Sequence, residues 1–249
     1  MDANKQRFSL AGLCVMVVVV VLFVAVLIPV ISNARLRADM TAMGARGKDI
    51  FVAIVGANME REPLGLGTVW PKTQIADEGI NTANPQDIAN KTFTNSTDYF
   101  NALYDKEHAR TASWAPYVSG FDLSILAGAG ARMTEEMLQP ENNAWCIAAN
   151  IRDEMEDIIP ILVTRNLDCS SLYKDYDGHT DTPLRWSQKY KTPYSHKGVV
   201  IVRKGGSISK IFGKKFTTHS VYNGQSFQTT VEGRAPLVYL TPDGIAHPQ

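Results

Sequence analysis

Three aspartates near residue 180 could provide ligand chemistry. Asp175, Asp177 and Asp181 lie around Gly178 in the order Asp-x-Asp-Gly-x-x-Asp. Carboxylate oxygens brought together by a glycine turn can coordinate a hard cation such as calcium. No glutamate follows at EF-hand spacing, and Asp and Gly are also common in ordinary surface turns. The pattern therefore predicts either a calcium site or a solvated turn.

Two of the three cysteines could form a disulfide. Cys146 and Cys169 lie 23 positions apart in the region expected to fold, whereas Cys14 lies in an apolar segment near the N-terminus. In an oxidising compartment, a bond closing a loop of this length would stabilise the fold by roughly 3 kcal/mol. The alternative is that both cysteines stay unpaired and pack as small apolar side chains.

The histidines and common motifs give no catalytic set. The five histidines lack the spacing of zinc ligands, and the chain has neither a nucleophile-elbow serine motif nor a phosphate-binding P-loop. His196 precedes a predicted hairpin, where its side chain is expected to orient the turn by a hydrogen bond. The acidic cluster at 153–157 is expected to be solvated. We therefore expect no enzymatic activity, and no cofactor unless the aspartate loop binds calcium.

An antiparallel sheet in the C-terminal half is expected to position these residues. The β-like runs fall at 144–149, 158–164, 199–203, 207–212 and 236–240. No helical crossover separates these runs, which favours antiparallel pairing. Gly205 and Gly206 lie between the third and fourth runs and predict a tight hairpin, because glycine readily adopts positive φ.

The N-terminal region has the pattern of a membrane span. Residues 8–33 carry no charge, and 10–31 form a 22-residue apolar run. Because a bilayer core requires roughly 20 apolar residues in a helix, 8–33 is predicted to be a transmembrane helix. A cleaved signal peptide is the alternative. Its apolar region usually has only about 7–15 residues, although Ser32 and Ala34 give a weak small-x-small cleavage pattern.

The apolar pattern becomes one-sided after the predicted span. Its apolar residues recur at spacings of three, four and seven, and they are Met40, Met43, Ile50, Phe51, Ile54 and Val55. This periodicity predicts that the helix continues as an amphipathic segment over 34–58 and covers the sheet. Pro29 is expected to bend the helix near the membrane boundary, because proline lacks an amide donor.

Charge and size limit the class of protein. The 25 basic and 25 acidic residues give a net charge of zero, which argues against a dedicated nucleic-acid binder. Mean hydropathy is −0.12, because the apolar residues are concentrated in one segment. About 200 residues follow that segment, enough for one domain with a buried core. The sequence therefore predicts one folded domain on a membrane helix.

The N-terminal residues also form a family pattern. A basic tail precedes Phe8-Ser9-Leu10, an apolar run follows, and Pro29 is the twenty-second residue counted from Phe8. This pattern resembles the N-terminus of type IV pilins and type II secretion pseudopilins. The resemblance implies a leader-cleavage junction between Arg7 and Phe8, followed by N-methylation. It also implies an α+β, pilin-like fold, in which a long N-terminal helix packs on a C-terminal antiparallel sheet.

Two residues depart from the family pattern. Arg7 stands where the family has glycine before the cleavage point, and Gly12 stands where it usually has glutamate. The family's glutamate is thought to pair with the N-terminal amine of a neighbouring subunit, which offsets the cost of burying both charges. We therefore expect slow or absent cleavage at Arg7, and a minor or tip-located subunit.

A weaker similarity lies near the C-terminus. The stretch 195–208, with His196 before a strand and Gly205-Gly206 after it, is similar to a hairpin of large pilin-like proteins. The family resemblance also makes calcium at the aspartate loop more plausible, because major pseudopilins bind calcium in a C-terminal loop.

The resemblance implies a structural subunit of a type IV pilus-like or type II secretion pseudopilus assembly. Its expected parts are a short basic leader or cytoplasmic tail (1–7), the transmembrane helix (8–33), its amphipathic continuation (34–58) and a globular ectodomain (59–249). Expected partners are other pilin or pseudopilin subunits, the inner-membrane assembly platform and membrane lipid, without nucleic acid. The alternative is a signal-anchored envelope protein whose ectodomain binds a ligand or acts as an enzyme.

The resemblance and the flanking charges disagree about the location of the ectodomain. Two basic residues, Lys5 and Arg7, precede the apolar segment, and more follow it, including Arg35 and Arg37. Counted alone, these charges would place the large domain in the cytoplasm. Pilins keep their N-terminus inside, so the resemblance implies an inner-membrane protein with an exported ectodomain or a subunit of a surface or periplasmic filament.

Overall fold

A computed structural model describes most of the chain. The described residues are 10–73, 87–103, 138–172, 176, 178–191, 193–213, 216–226 and 236–246, with the backbone alone at 10 and 11. The chain divides into two compact units, Met1–Asp39 and Met40–Gln249. The expected cleavage junction at Arg7 and Phe8 lies outside the described residues, as do Asp175 and Asp177.

The first element is a single long helix. Helix α1 covers Leu10–Arg61, 52 residues, and includes Pro29. A 3₁₀ turn, Glu62–Leu64, follows the helix and contains Pro63. The next residue, Gly65, adopts a left-handed conformation with φ 65°, which ends the helical path. The predicted long N-terminal helix is therefore confirmed, and it reaches Arg61. The bend at Pro29 stays a prediction.

The second unit contains an antiparallel sheet. Its strands in chain order are β1 (Trp145–Ala149), β2 (Pro160–Thr164), β3 (Gly198–Arg203), β4 (Ile208–Phe212), β5 (Val238–Thr241) and β6 (Gly244–Ala246). They lie in the order β4-β3-β2-β1-β5-β6, and every neighbouring pair is antiparallel. The predicted α+β class with an antiparallel sheet is therefore confirmed. The sixth strand was not predicted, because three residues are too few to show an alternating pattern.

One face of the sheet is covered by the part of α1 after residue 40. The register places Ile147, Leu162 and Val202 on the same face, next to Trp145. The residues of α1 buried on its sheet-facing side are Met40, Met43, Gly44, Gly47, Ile50, Ile54 and Ala57. A second helix, α2 (Ser96–Leu103), also touches the sheet, where Ser96 Oγ donates to the Trp145 carbonyl at 2.8 Å.

The opposite face is covered by two short elements. They are a 3₁₀ turn, Cys169–Leu172, and helix α3, Thr218–Tyr222. The guanidinium of Arg203 donates to the Val221 carbonyl through Nε at 3.1 Å, and Tyr222 Oη donates to the Leu172 carbonyl at 3.2 Å. Strands β1, β2 and β3 are therefore buried on both faces, which explains their nearly continuous apolar sequences.

Candidate functional site

The first half of α1 carries most of the exposed large apolar side chains among the described residues. Each large apolar side chain from Leu13 to Ile31 is between 45% and 67% exposed. The helix is long and apolar enough to cross a membrane, and its apolar window is not buried. A core helix of a water-soluble protein would bury such side chains. This segment is therefore a candidate membrane anchor or signal.

The second half of α1 approaches the sheet closely along a helix–sheet seam formed by Met40, Gly44, Gly47, Gly198 and Val202. A Cβ atom at Gly47 would lie 2.8 Å from both Trp145 Cη2 and Val202 Cγ2, and one at Gly198 would lie 2.6 Å from Met40 Sδ. Real Cβ atoms essentially never come this close to another atom. Packing therefore requires glycine at Gly47, where Trp145 and Val202 must yield, whereas at Gly198 the closest atoms belong to the flexible end of Met40, which can shift.

The β3–β4 hairpin contacts α1 through Gly206. This residue has φ 77°, and its carbonyl accepts a hydrogen bond from Lys48 Nζ at 2.9 Å. A side chain there would meet both Lys48 and Phe51, and a Cβ at Gly205 would lie 3.0 Å from Asp157. The hairpin therefore uses its two glycines for turn geometry and for close contact.

His196 lies in the turn before β3 and is exposed. Its ring stacks on Trp186 with centroids 5.5 Å apart. The buried Asn166 holds this turn, because its amide nitrogen donates to the carbonyls of Ser195 and Gly198, each at 2.8 Å. The hydrogen-bonding role expected for His196 stays a prediction. No sequence pattern singles out Asn166, since its partners are backbone atoms about 30 positions away.

A pocket of about 500 Å³ opens beside β5 and β6. Its polar wall contains Arg165, Lys189, Tyr190 and Asp243, and both Lys189 Nζ and Tyr190 Oη donate to the Asp243 carboxylate. The Arg165 guanidinium lies over the Tyr190 ring at 5.4 Å from its centroid. A concave site with both charges is suited to a small polar ligand.

The ionisable groups of this pocket respond to their surroundings. Burial, and then the hydrogen bond to Asp243, raise the pKa of the Tyr190 hydroxyl. Burial also raises the pKa of the Asp243 carboxyl, but the hydrogen bonds from Lys189 and Tyr190 outweigh this effect and leave it below its ordinary value. Burial lowers the pKa of Arg165. Asp243 is therefore held as a carboxylate that accepts from its two neighbours.

The structure brings Cys146 and Cys169 together at this pocket. Both thiols are unpaired and buried, and both line the pocket, whereas Cys14 is exposed on α1. A hydrogen bond with Cys146, and then burial, raise the pKa of the Cys169 thiol. Cys146 and Cys169 therefore lie at the same pocket as free thiols, and a disulfide between them stays a prediction.

The aspartate loop is described only in part. Asp181 is exposed and accepts a hydrogen bond from the His219 amide at 3.1 Å. Hydrogen bonding from Thr217, and then from this amide, lowers the pKa of the Asp181 carboxyl. Within the described residues, no group of three or more His, Cys, Asp or Glu side chains could hold a metal ion. Calcium at Asp175, Asp177 and Asp181 stays a prediction.

No protein-family model matches the chain, and searches of the curated proteins and of the solved structures find no match either. The function proposed below therefore rests on the sequence pattern and on the geometry of α1, the sheet and the pocket.

Proposed function

We propose that the protein is a membrane-inserted structural subunit of a type IV pilus-like or type II secretion pseudopilus assembly. The observation that carries this proposal is the composition of α1. One continuous helix contains an exposed apolar segment and, after residue 40, a one-sided segment packed on an antiparallel sheet. The N-terminal resemblance to pilins supports the same function.

In this function the two segments of α1 have different tasks. The apolar segment inserts into the inner membrane, where it contacts lipid and the apolar helices of other pilin-like subunits. The unit from Met40 onward is exported, and the helix–sheet seam keeps its helix attached to the sheet. The inner-membrane assembly platform is the further partner. No reaction is needed for such a subunit, and we expect none.

The position in the assembly follows from the two departures of the N-terminus. Gly12 provides no carboxylate to pair with an N-terminal amine, so a repeating shaft subunit would bury unpaired charge. A minor or tip-located subunit avoids most of these repeated contacts. We therefore propose low abundance in the filament.

Isolated filaments test the proposal directly. Electron microscopy of surface or periplasmic filaments, with mass spectrometry of their subunits, should find this protein at low abundance beside major pilin-like subunits. Reporter fusions at Gln249 should be active outside the cytoplasm. A cytoplasmic Gln249 would contradict both the export and the pilin-like function.

The pocket favours a second candidate function, that of a signal-anchored envelope protein with a ligand-binding or enzymatic ectodomain. The pocket has a volume of about 500 Å³ and contains basic and acidic groups. It would therefore suit a small ligand that carries both a positive and a negative charge. Thermal shift of the full chain with amino acids and short peptides tests this function. Stabilisation lost in Lys189→Met but kept in Lys197→Met, an exposed lysine outside the pocket, would support it.

A further inference from the structure

The two cysteines at the pocket are placed for covalent chemistry. Cys146 lies in β1, on the face of the sheet opposite α1, and Cys169 begins the 3₁₀ turn that covers this face. The two side chains are 1% and 2% exposed, yet both line the pocket. A reagent that enters the pocket therefore reaches a wall to which both cysteines contribute.

We propose that Cys146 and Cys169 are a disulfide-forming site, and that the pocket admits the disulfide-bearing oxidant that closes the bond. The oxidant is a small molecule or a protein with a reactive disulfide. The proposal goes beyond the structural function, because it depends on the folded ectodomain and not on assembly into a filament.

The reaction is thiol–disulfide exchange in two steps. One cysteine loses its proton to water and attacks a sulfur of the oxidant, and half of the oxidant leaves as a thiolate that takes up a proton. The second cysteine then attacks the mixed disulfide, and the other half leaves in the same way. Two cysteine thiols are oxidised to one disulfide, and one disulfide of the oxidant is reduced to two thiols.

The surroundings make the first step dependent on pH. The interaction with Cys146, and then burial, raise the pKa of the Cys169 thiol, so the attacking thiolate becomes more abundant as the pH rises. Arg165 and Lys189 line the same pocket as the two cysteines and place positive charge in that space. Both cysteines line the same pocket, so the second step joins two residues that already border one space.

The bond would fasten the turn Cys169–Leu172 to the middle of the sheet. β1 lies between β2 and β5, and the Leu172 carbonyl in this turn accepts from Tyr222 of α3. The disulfide would therefore connect β1 to the 3₁₀ turn that, with α3, covers the face of the sheet opposite α1. Closing this loop restricts the unfolded chain and raises the melting temperature.

Oxidation of the purified full chain tests the site. The Cys14→Ser protein is reduced in detergent, freed of reductant and incubated, still folded, with oxidised glutathione. It is then denatured in acid, alkylated with N-ethylmaleimide and digested for mass spectrometry. We expect one linked peptide containing Cys146 and Cys169, and loss of their alkylation until a reductant is added. The oxidised protein should melt roughly 6–12 °C above its reduced form.

Matched variants test the two parts of the proposal. Cys146→Ser and Cys169→Ser should each lose the linked peptide and the rise in melting temperature.

A second pair of variants tests the role of the pocket. Ala246→Trp, which fills the pocket, should slow oxidation, whereas Gln188→Trp, which is exposed outside the pocket, should not. Two alkylated cysteines in the folded protein after oxidation, or a linkage that forms only in denaturant, would overturn the site. Equal oxidation rates in the two tryptophan variants would overturn the role of the pocket.

Discussion

Among single residues, glycines set the distance between α1 and the sheet. Gly47 faces Trp145 and Val202, where an added Cβ would meet atoms at 2.8 Å. Gly56 lies in the same helix, but a Cβ there would meet nothing within 4 Å. Both glycines therefore lower the intrinsic helix propensity of α1 by the same amount, but packing requires glycine only at position 47.

We expect Gly47→Ala to destabilise the protein and Gly56→Ala to stabilise it. Overpacking at Gly47 should cost about 1–3 kcal/mol, because the indole of Trp145 and the valine must both move. Alanine at Gly56 should gain up to about 1 kcal/mol of helix propensity. Chemical unfolding of the two variants in detergent measures both values. Equal effects of the two substitutions would contradict the close approach at the seam.

Arg61 and Asp87 form a buried ion pair. Arg61 Nη2 lies 2.6 Å from Asp87 Oδ1, and both side chains are at most 5% exposed. Arg61 Nε also donates to the Gly67 carbonyl at 2.8 Å. The pair therefore joins the end of α1 to the 3₁₀ turn Ile88–Asn90, which Asp87 caps by accepting from the Ala89 amide.

We expect Asp87→Asn to cost about 3–5 kcal/mol of unfolding free energy, because it leaves the Arg61 charge buried without its counter-ion. Asp157→Asn is the matched control. Asp157 lies 3.5 Å from Lys204 but is 80% exposed, so its loss should cost about 1 kcal/mol or less. Denaturant titration of both variants measures the difference. A similar small cost for both would mean that water reaches Arg61.

The elements differ in how well the sequence predicts them. Helix α1 and the first five strands were predicted because they carry long periodic or continuous apolar patterns, and the observed ends of these strands differ from the predicted ends by at most two residues. Helix α3 has only five residues, too few for a period. The pocket was not predicted, because Arg165, Lys189 and Asp243 are distant in sequence. They come together only when the strands assemble in the observed order. The sequence left open whether Cys146 and Cys169 form a disulfide or stay unpaired, since spacing alone does not fix which elements meet, and the disulfide stays a prediction.

Pro29 should weaken α1 locally. Its nitrogen cannot donate to the Ala25 carbonyl, and its ring crowds that carbonyl. We expect Pro29→Ala to narrow the distribution of distances between spin labels at Val18 and Arg37. Double electron–electron resonance spectroscopy in lipid bilayers measures this distribution. Val26→Ala is the control and should leave the distribution unchanged. A wild-type distribution as narrow as that of Pro29→Ala would show that proline does not bend this helix.

For the whole molecule, the proposed assembly depends on the state of the N-terminus. Arg7 carries a long charged side chain where prepilin-like chains have glycine. We expect Arg7→Gly to increase cleavage before Phe8, because a small residue fits a narrow peptidase site. Mass spectrometry of the protein from its own membrane measures the cleaved fraction. Lys5→Gly, which removes a charge without changing the junction, is the control. Complete cleavage of the wild-type chain, with a methylated Phe8, would contradict the prediction.

The contact between Lys48 and Gly206 spans 158 positions of sequence, and this has a consequence during translation. Ribosomes add about 5–20 residues per second, so Lys48 of α1 is made roughly 8–30 s before the hairpin that it contacts. Ribosome-bound chains stalled before Gly198 should therefore be cut by protease within 40–61, and full-length chains should resist. Protease resistance of the stalled chains would mean that another part of the chain covers the helix before β3 and β4 are made. Until β3 and β4 are made, Met40, Ile50 and Ile54 face an incomplete sheet of β1 and β2, so the nascent chain needs a chaperone or a membrane surface to shield them.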